Sequence, residues 1–220
     1  MPSTHTLQLV FFGCPPCTEQ QAIDTAEQLG NPSRVFLAAR DERSNVAQKW
    51  MRDPSGLNIQ GRLSIDLVEP PAPQLMDALH QQTGCAVYLS RVHSPIPTSL
   101  DVGQRCDGTL QWCGFQKLED LSTERFLDLW LREHTAIAIA CQRTDSYAQH
   151  EILWHRGPVL DGIAEETFPI EAALSEAIFF NAEDNPDLVR QHAAALVTSS
   201  KAFINFNTMC VAHLTERRLR

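Results

Sequence analysis

Two cysteines near the N-terminus, Cys14 and Cys17, have the spacing of a dithiol that cycles between thiol and disulfide. They lie between an apolar run that ends at Gly13 and a helical pattern, where the helix N-terminus would lower the pKa of a thiol. A thioredoxin-like protein also needs a proline that leads directly into an apolar strand, and the candidate in "IPT" at 96–98 leads into a loop instead. A strand-to-helix turn is therefore favoured over a redox pair at this site.

A second candidate for chemistry is His134, which follows Phe126 and Trp130 at intervals of four residues. This spacing predicts that the three side chains share the apolar face of one helix. A neutral imidazole that faces a pocket could accept a proton from a phenol or enol and hand it on. The alternative is a core histidine with one satisfied hydrogen bond, and both interpretations stay open.

Two further groups could supply a second acid–base residue. Tyr147 lies on a strand with alternating polarity, where it could donate to a carbonyl oxygen or be an ordinary half-buried aromatic residue. Asp161, Glu165 and Glu166 lie close together in the sequence, and one carboxylate could act as a base or orient His134. The alternative for this cluster is a solvated acidic turn.

The expected pocket is largely aromatic. Its ligand contacts are predicted to come from Trp112, Phe126, Trp130, Trp154 and Asp161. The tryptophans could equally be ordinary core residues. No glycine-rich phosphate loop, serine nucleophile elbow or cluster of metal ligands occurs in the sequence, so we expect no cofactor and no metal. Any reaction would then be cofactor-independent proton transfer.

Composition disfavours several kinds of partner. The formal net charge of the 220 residues is −9, and only the short tail "ERRLR" at 216–220 is basic enough to attract a phosphate backbone, so nucleic acid is not expected. The apolar runs near the N-terminus are too short for a membrane span, and no signal peptide is expected. Seven irregularly spaced cysteines suit a reduced, cytoplasmic protein better than a disulfide framework.

The chain repeats itself once. Three segments of the first half recur in the second: "TLQLVFFG" at 6–13 as "TLQWCGFQ" at 109–116, "CTEQQAIDTAEQL" at 17–29 as "STERFLDLWLREH" at 122–134, and "GCAVYLSRV" at 84–92 as "TMCVAHLTE" at 208–216. Self-similarity on this scale predicts a duplicated domain. The stretch 93–108, with its prolines and glycines, is the predicted linker, which gives domains at 1–100 and 109–220.

Each half is predicted to run strand, helix, strand, strand, helix, strand. The first-half strands are expected near 7–12, 34–40, 62–68 and 85–91, with helices near 17–29 and 72–83. The second-half strands are expected near 109–117, 145–154, 159–166 and 208–215, with helices near 122–141 and 186–203, and short helices are expected at 44–52 and 171–180. This is the α+β order of a ferredoxin-like (βαββαβ) unit. Two such sheets would close into a pseudo-dimeric α/β barrel with a pocket between sheet and helices.

Three segments of the second half have a shared order and spacing: "ERFLDLWLREHTAIAIA" at 124–140, "DSYAQHEIL" at 145–153 and "LDGIAEETFP" at 160–169. Through these segments, residues 109–215 resemble an EthD-type domain of the dimeric α/β-barrel superfamily, with Leu160 in place of the usual aromatic residue. It implies a ferredoxin-like fold, barrels built from pairs of units, and a small hydrophobic or aromatic ligand of the polyketide or xenobiotic type. Because such proteins often assemble further, a homodimer is left open.

These observations predict a protein that binds such a compound and catalyses its dehydration, cyclisation, isomerisation or decarboxylation, as a lyase or isomerase would. The repeat aligns His134 with Leu29 and Trp130 with Thr25, so the pocket is expected in the second half, and the first half would supply only the other sheet. The alternative function is a non-catalytic accessory protein of a degradation pathway. A thiol redox protein that uses the two N-terminal cysteines is the least favoured.

Overall fold

The first half of the chain forms the elements that the sequence predicts. The computed structural model describes residues 5–30 and 32–220. The strands of this half are β1 (His5–Phe12), β2 (Arg34–Ala39), β3 (Ile59–Leu67) and β4 (Ala86–Ile96), and its helices are α1 (Glu19–Gln28), α2 (Pro73–Thr83) and a 3₁₀ helix (Ser44–Trp50). β4 runs past its predicted end at 91 because its last residues pair with a strand of the second half.

The second half repeats this order with more helix. Its strands are β5 (Thr109–Phe115), β6 (Ser146–Arg156), β7 (Gly162–Phe168) and β8 (Cys210–Arg218), and its helices are α3 (Thr123–Asp128), a π turn (Leu129–His134), α4 (Thr135–Cys141), α5 (Ile170–Leu174), α6 (Glu176–Phe179) and α7 (Pro186–Lys201). The predicted helix over 122–141 is confirmed as one continuous helix with the π turn at its middle. Across residues 5–30 and 32–220, none of the helices has both the length and the apolar character that a membrane crossing requires.

The eight strands form one closed barrel. Their order is β1-β3-β2-β8-β5-β7-β6-β4, and all neighbours are antiparallel. Each half contributes a four-stranded sheet of the ferredoxin-like type, and the pairs β2–β8 and β4–β6 join the two sheets. The predicted α+β fold, with two ferredoxin-like units closed into one barrel, is therefore confirmed. The division at 100 and 109 stays a prediction.

The barrel interior holds a buried polar network. Gln8 of β1 donates to Glu165 of β7 over 3.0 Å, although the two strands are not neighbours, so both side chains must point inward. We call the following residues the interior network: Gln8, Arg62, His150, Glu165 and Glu216. All of them are buried, and apolar residues such as Tyr88, Trp112 and Leu214 fill the rest of the interior.

The outer faces of both sheets are covered by helices. In the second half, the helix 123–141 packs its aromatic residues directly onto the sheet. Gly162 permits this close approach, because a Cβ atom there would lie 2.7 Å from the ring of Trp130 and 2.9 Å from Phe115. Phe203, just after α7, completes this aromatic layer with Phe126. Strand residues are consequently buried on both faces, one towards the interior and one towards the helices.

Candidate active site

A cavity of about 290 Å³ lies between the second-half sheet and the helices that cover it. Its lining is largely aromatic and includes Trp50, Phe115, Trp130, Phe179, Phe180, Phe203 and Phe206. Its polar lining consists of Gln111, His134, Gln142, Tyr147, Glu166 and Ser200. The pocket is thus in the layer that the sequence predicts. Trp50 departs from the prediction that the first half supplies only a sheet, because it reaches the cavity from that half and stacks on Phe179 at 4.2 Å.

Three polar side chains form a row across the sheet under the cavity. In the strand register, Gln111 of β5 is opposite Glu166 of β7, and Glu166 is opposite Tyr147 of β6. Opposite residues of antiparallel strands carry their Cβ atoms about 5 Å apart on the same face. Glu166 is therefore flanked by an amide on one side and by a phenol on the other.

Among residues 5–30 and 32–220, no charged side chain forms an ion pair with the carboxyl group of Glu166. Its Oε1 atom accepts a hydrogen bond from Thr144 Oγ1 over 3.2 Å, and its Oε2 atom accepts one from Gln111 Nε2 over 3.3 Å. The side chain is only 6% exposed, and this burial raises the pKa of Glu166 to about 7. Near neutral pH both protonation states are populated, which is the condition for an efficient general acid or base.

Tyr147 is a neutral donor beside this carboxyl group. Burial, with a smaller contribution from Glu166, raises the pKa of the Tyr147 hydroxyl well above its ordinary value. The hydroxyl oxygen accepts a hydrogen bond from Gln149 Nε2 over 3.0 Å. The phenol thus keeps its proton at neutral pH and can donate it in a hydrogen bond to a ligand.

His134 lies in another part of the cavity wall, at the end of the π turn. Its Nδ1 atom is 3.0 Å from Ser199 Oγ, and its ring meets Phe203 edge-on at 5.1 Å. Burial lowers the pKa of His134 to about 4. The imidazole is therefore neutral at pH 7, and one of its two ring nitrogens is already hydrogen-bonded to Ser199.

The predicted aromatic contacts divide between three places. Trp130 lines the cavity, and Phe126 stacks behind it with ring centroids 5.4 Å apart. Trp112 points into the barrel, where its Nε1 atom donates to Gln8 over 3.2 Å. Trp154 packs against the core of the first half. Successive residues of a strand point to opposite faces, and Trp112 is on the face of β5 that points into the barrel. Trp154 is near the end of β6, where the first-half core covers it, so the second-half helices reach neither tryptophan.

The predicted acidic cluster is also divided. Asp161 precedes β7, and its carboxylate accepts a hydrogen bond from the backbone N–H of Lys117 over 2.9 Å. Glu165 points into the barrel, where Arg62 lies 2.7 Å away. Burial alone would raise the pKa of Glu165, but Arg62 outweighs this effect and lowers the pKa to about 2. Of the three carboxylates, only Glu166 lines the cavity.

Some residues of the site carried no recognisable signal in the sequence. Gln111 and Gln142 line the cavity, while Thr144 and Ser199 hold Glu166 and His134. Gln111 could have been identified by its place opposite Glu166, but this requires the strand register. Within residues 5–30 and 32–220, no group of three or more His, Cys, Asp or Glu side chains is arranged to hold a metal ion.

The two N-terminal cysteines are placed far from this cavity. Both are free thiols that pack, half-buried, against the core of the first half. Thr18 caps α1, and its side chain forms a reciprocal capping box with Gln21. Burial, reinforced by the neighbouring Cys85, raises the pKa of Cys17 to about 11, whereas a reactive thiol needs a lowered pKa.

Changing both Cys14 and Cys17 to Ser should leave ligand binding and turnover unchanged within about twofold, because neither thiol contacts the cavity. Isothermal titration with a bound ligand and a turnover assay would check this. A dithiol potential in the thioredoxin range, together with insulin reductase activity that the double variant lacks, would contradict it.

Fold and site together define an α+β barrel within one chain, with an aromatic-rich cavity between the second-half sheet and the helices that cover it. No protein-family model matches the chain, and no curated protein matches it. Among solved structures it is similar to an anthrone oxidase-like protein, at 11% identity over 100% of this chain and 94% of that chain, with a TM-score of 0.59. A candidate monooxygenase from Lactobacillus acidophilus NCFM matches at 9% identity over 97% and 94% of the two chains, with a TM-score of 0.48. At such identity the first of these likenesses supports the fold alone, a closed eight-stranded α+β barrel.

Proposed function

We propose that the protein binds a small hydrophobic or aromatic compound in this cavity and catalyses cofactor-independent proton transfer on it. The observation that carries the proposal is Glu166, a buried carboxyl group with a pKa of about 7. It stands beside the neutral hydroxyl of Tyr147 on a wall that is otherwise largely aromatic. Ligand pockets usually combine an apolar lining with a few converging polar groups of this kind.

The chemistry begins with Glu166 as a base. Its carboxylate takes a proton from an acidic C–H or a phenolic O–H bond of the ligand, and the electron pair of that bond stays on the ligand as an enolate or phenolate. The Tyr147 hydroxyl donates a hydrogen bond to the oxygen on which this charge develops. Protonated Glu166 then returns the proton to another atom, which isomerises the ligand, or to a departing hydroxyl group, which dehydrates it.

In this proposal Glu166 takes the acid–base role that the sequence favours for His134. An imidazole with a pKa of about 4 is a weak base at neutral pH, whereas a carboxyl group with a pKa of about 7 matches the operating range. His134 instead offers its second ring nitrogen as a neutral hydrogen-bonding group for the far end of the ligand.

A polycyclic ketone or phenol is the ligand class that we favour. The proposed relationship to EthD-type domains implies polyketide-like or xenobiotic ring compounds. One solved structure with the same fold is that of an anthrone oxidase-like protein. An anthrone is a ketone flanked by aromatic rings, and its acidic C–H bond is of the kind that Glu166 would ionise.

Hydrogen–deuterium exchange at the acidic carbon of anthrone, followed by NMR in anaerobic D₂O, tests the proposal directly. We expect the protein to bind anthrone in native mass spectrometry and to accelerate the exchange. Binding without accelerated exchange would favour the accessory-protein alternative. Absence of binding for both anthrone and the phenol 4-nitrophenol would show that the proposed function is wrong.

His134→Leu should weaken anthrone binding about fivefold, which is the effect of losing one neutral hydrogen bond. The rate of exchange at saturation should change little, and the midpoint of its pH profile should stay near 7, because His134 is neutral in this range. The pH dependence of the exchange rate measures both. Ser199→Ala, which removes only the partner of the imidazole, is the matched control. A loss of more than about 100-fold at saturation would instead identify His134 as the acid–base group.

A further inference from the structure

The π turn in the helix over the cavity leaves a backbone acceptor for side chains. A π turn inserts one residue into an α-helix and is often found at functional sites. Here the carbonyl oxygen of Trp130 lies 3.3 Å from Gln149 Nε2 and 3.2 Å from Thr135 Oγ1. The helix is thereby hydrogen-bonded to β6 through a buried polar side chain.

The side-chain amide of Gln149 uses both of its protons and its oxygen in hydrogen bonds to buried neighbours. The side chain has no solvent exposure. One Nε2 proton goes to the Trp130 carbonyl and the other to the Tyr147 hydroxyl, 3.0 Å away. Its Oε1 atom lies 3.2 Å from the hydroxyl of Thr135, whose single proton is shared with backbone carbonyls of the π turn. The amide is therefore held on both sides and cannot rotate without breaking buried hydrogen bonds.

The hydrogen bond from Gln149 restricts the direction in which the hydroxyl proton of Tyr147 can point. The phenol oxygen accepts a hydrogen bond from Gln149, and the indole N–H of Trp130 is a second donor near it, so its own O–H must point away from both. Among the side chains and carbonyls described by the structure, none is hydrogen-bonded to that proton. Tyr147 lines the cavity beside Glu166, so the proton is available to a ligand there.

We infer that Gln149 is a positioning residue that fixes Tyr147 as a hydrogen-bond donor into the cavity, with the π turn and Thr135 as its supports. The inference rests on the proposed function, in which Tyr147 stabilises the oxyanion. It adds a residue that does not line the cavity and that acts through its hydrogen bond to Tyr147.

The free protein offers a first test that needs no ligand. The chain contains two tyrosines, so labelling with ¹³Cζ-tyrosine gives two resonances, and Tyr147→Phe assigns them. We expect Gln149→Met to shift the Tyr147 resonance and to leave the Tyr88 resonance in place, since Tyr88 donates to the Pro158 carbonyl in another part of the barrel. An unchanged Tyr147 resonance would overturn the inference.

Gln8→Met is the matched control. Gln8 is equally buried and also hydrogen-bonded through both ends of its amide, but it lies in the barrel interior and is opposite Tyr88 in the strand register. It should leave the Tyr147 resonance unchanged. If Gln8→Met shifted that resonance as much as Gln149→Met does, the effect would be a general loss of packing and the inference would be wrong.

Binding of 4-nitrophenol, whose absorbance also reports its ionisation, gives the second test. Gln149→Met and Tyr147→Phe should each weaken binding about five- to tenfold, and the double variant should be no worse than Tyr147→Phe, because both changes remove the same hydrogen bond. Thr135→Val should weaken binding less, and Thr135→Ser, which keeps the hydroxyl, should restore it.

Two outcomes distinguish a failure of the inference about Gln149 from a failure of the proposed function. If Tyr147→Phe weakens binding while Gln149→Met binds like the wild type, the inference is wrong and the proposed function stands. If the wild type binds neither 4-nitrophenol nor anthrone, the proposed function is wrong and the inference falls with it.

Discussion

Glu166→Gln should raise the free energy of unfolding at pH 8 by about 3 kcal/mol. Below pH 4.5 the same change should give no such gain. Burial raises the pKa of Glu166 from 4.5 to about 7. Below pH 4.5 the carboxyl group is protonated in both the folded and the unfolded chain, so it costs nothing. Between pH 4.5 and 7 the unfolded chain ionises this group while the folded protein keeps it protonated, so the cost to stability grows to about 3 kcal/mol, the equivalent of about 2.5 pKa units, and it stays there above pH 7. Gln has the same shape and no charge.

Urea denaturation at pH 5 and pH 8, followed by tryptophan fluorescence, measures this difference. Glu165→Gln is the control, because the neighbouring residue has a lowered pKa and its charge is stabilising. That variant should be less stable than the wild type at pH 8. If Glu166→Gln gains no stability between pH 5 and pH 8, its carboxyl group is not held in the neutral form that the proposal requires.

The same change should remove catalysis. Loss of a general acid–base group typically costs about 10²–10⁴ in rate, so Glu166→Gln should exchange anthrone protons close to the uncatalysed rate. The pH profile of the wild type should rise with a midpoint near 7, where the carboxylate forms, and this midpoint should be absent in the variant. A stabilised protein without activity is the expected signature of a functional group placed at a cost to the fold. Retained exchange would exclude Glu166 as the base.

The barrel could be predicted because its information is local and repeated. The strand and helix patterns of each half have a clear period, and the internal repeat shows that two equivalent units must pack together. The stripe of Phe126, Trp130 and His134 also follows from helical spacing alone. Phe126 and Trp130 pack on Phe115 of the sheet, whereas His134 contacts Ser199 and Phe203 at the neighbouring helix. Trp130 and His134 line the cavity.

The division of the acidic pair could not be predicted in the same way. Strand alternation requires Glu165 and Glu166 to point in opposite directions, but it does not say which one points inward. In most antiparallel sheets the polar face is exposed and settles the question. Here the helices bury one face and the barrel buries the other, so both residues are buried and only the register distinguishes them. For the same reason, the sequence did not show to which face of the sheet Trp112 and Trp154 point.

Contacts between the halves were also beyond local patterns. Trp50 comes from the 3₁₀ helix of the first half, and the interior network joins β1 and β3 to β6, β7 and β8. Arg62 gave no signal in the sequence, although it is among the most buried side chains in the structure. Long-range pairing of this kind depends on barrel closure, which no window of the sequence contains.

Arg62→Leu should destabilise the protein by about 3–5 kcal/mol, because it leaves two carboxylates inside the barrel without their cation. Arg62 is 1% exposed and pairs with both Glu165 and Glu216. The loss should be largest at pH 7 and above, and smaller at pH 5, where the unpaired carboxyl groups can take up protons. Urea denaturation at both pH values measures it.

Two further variants keep this prediction testable even if Arg62→Leu does not fold. The triple change of Arg62→Leu with Glu165→Gln and Glu216→Gln removes the stranded charges together with the cation, so it should recover much of the lost stability. Arg34→Leu breaks an ion pair with Asp66 in which the Arg34 side chain is 35% exposed, and it should cost about 1 kcal/mol or less. If Arg62→Leu were no worse than Arg34→Leu, the interior network would not hold the two halves of the barrel together.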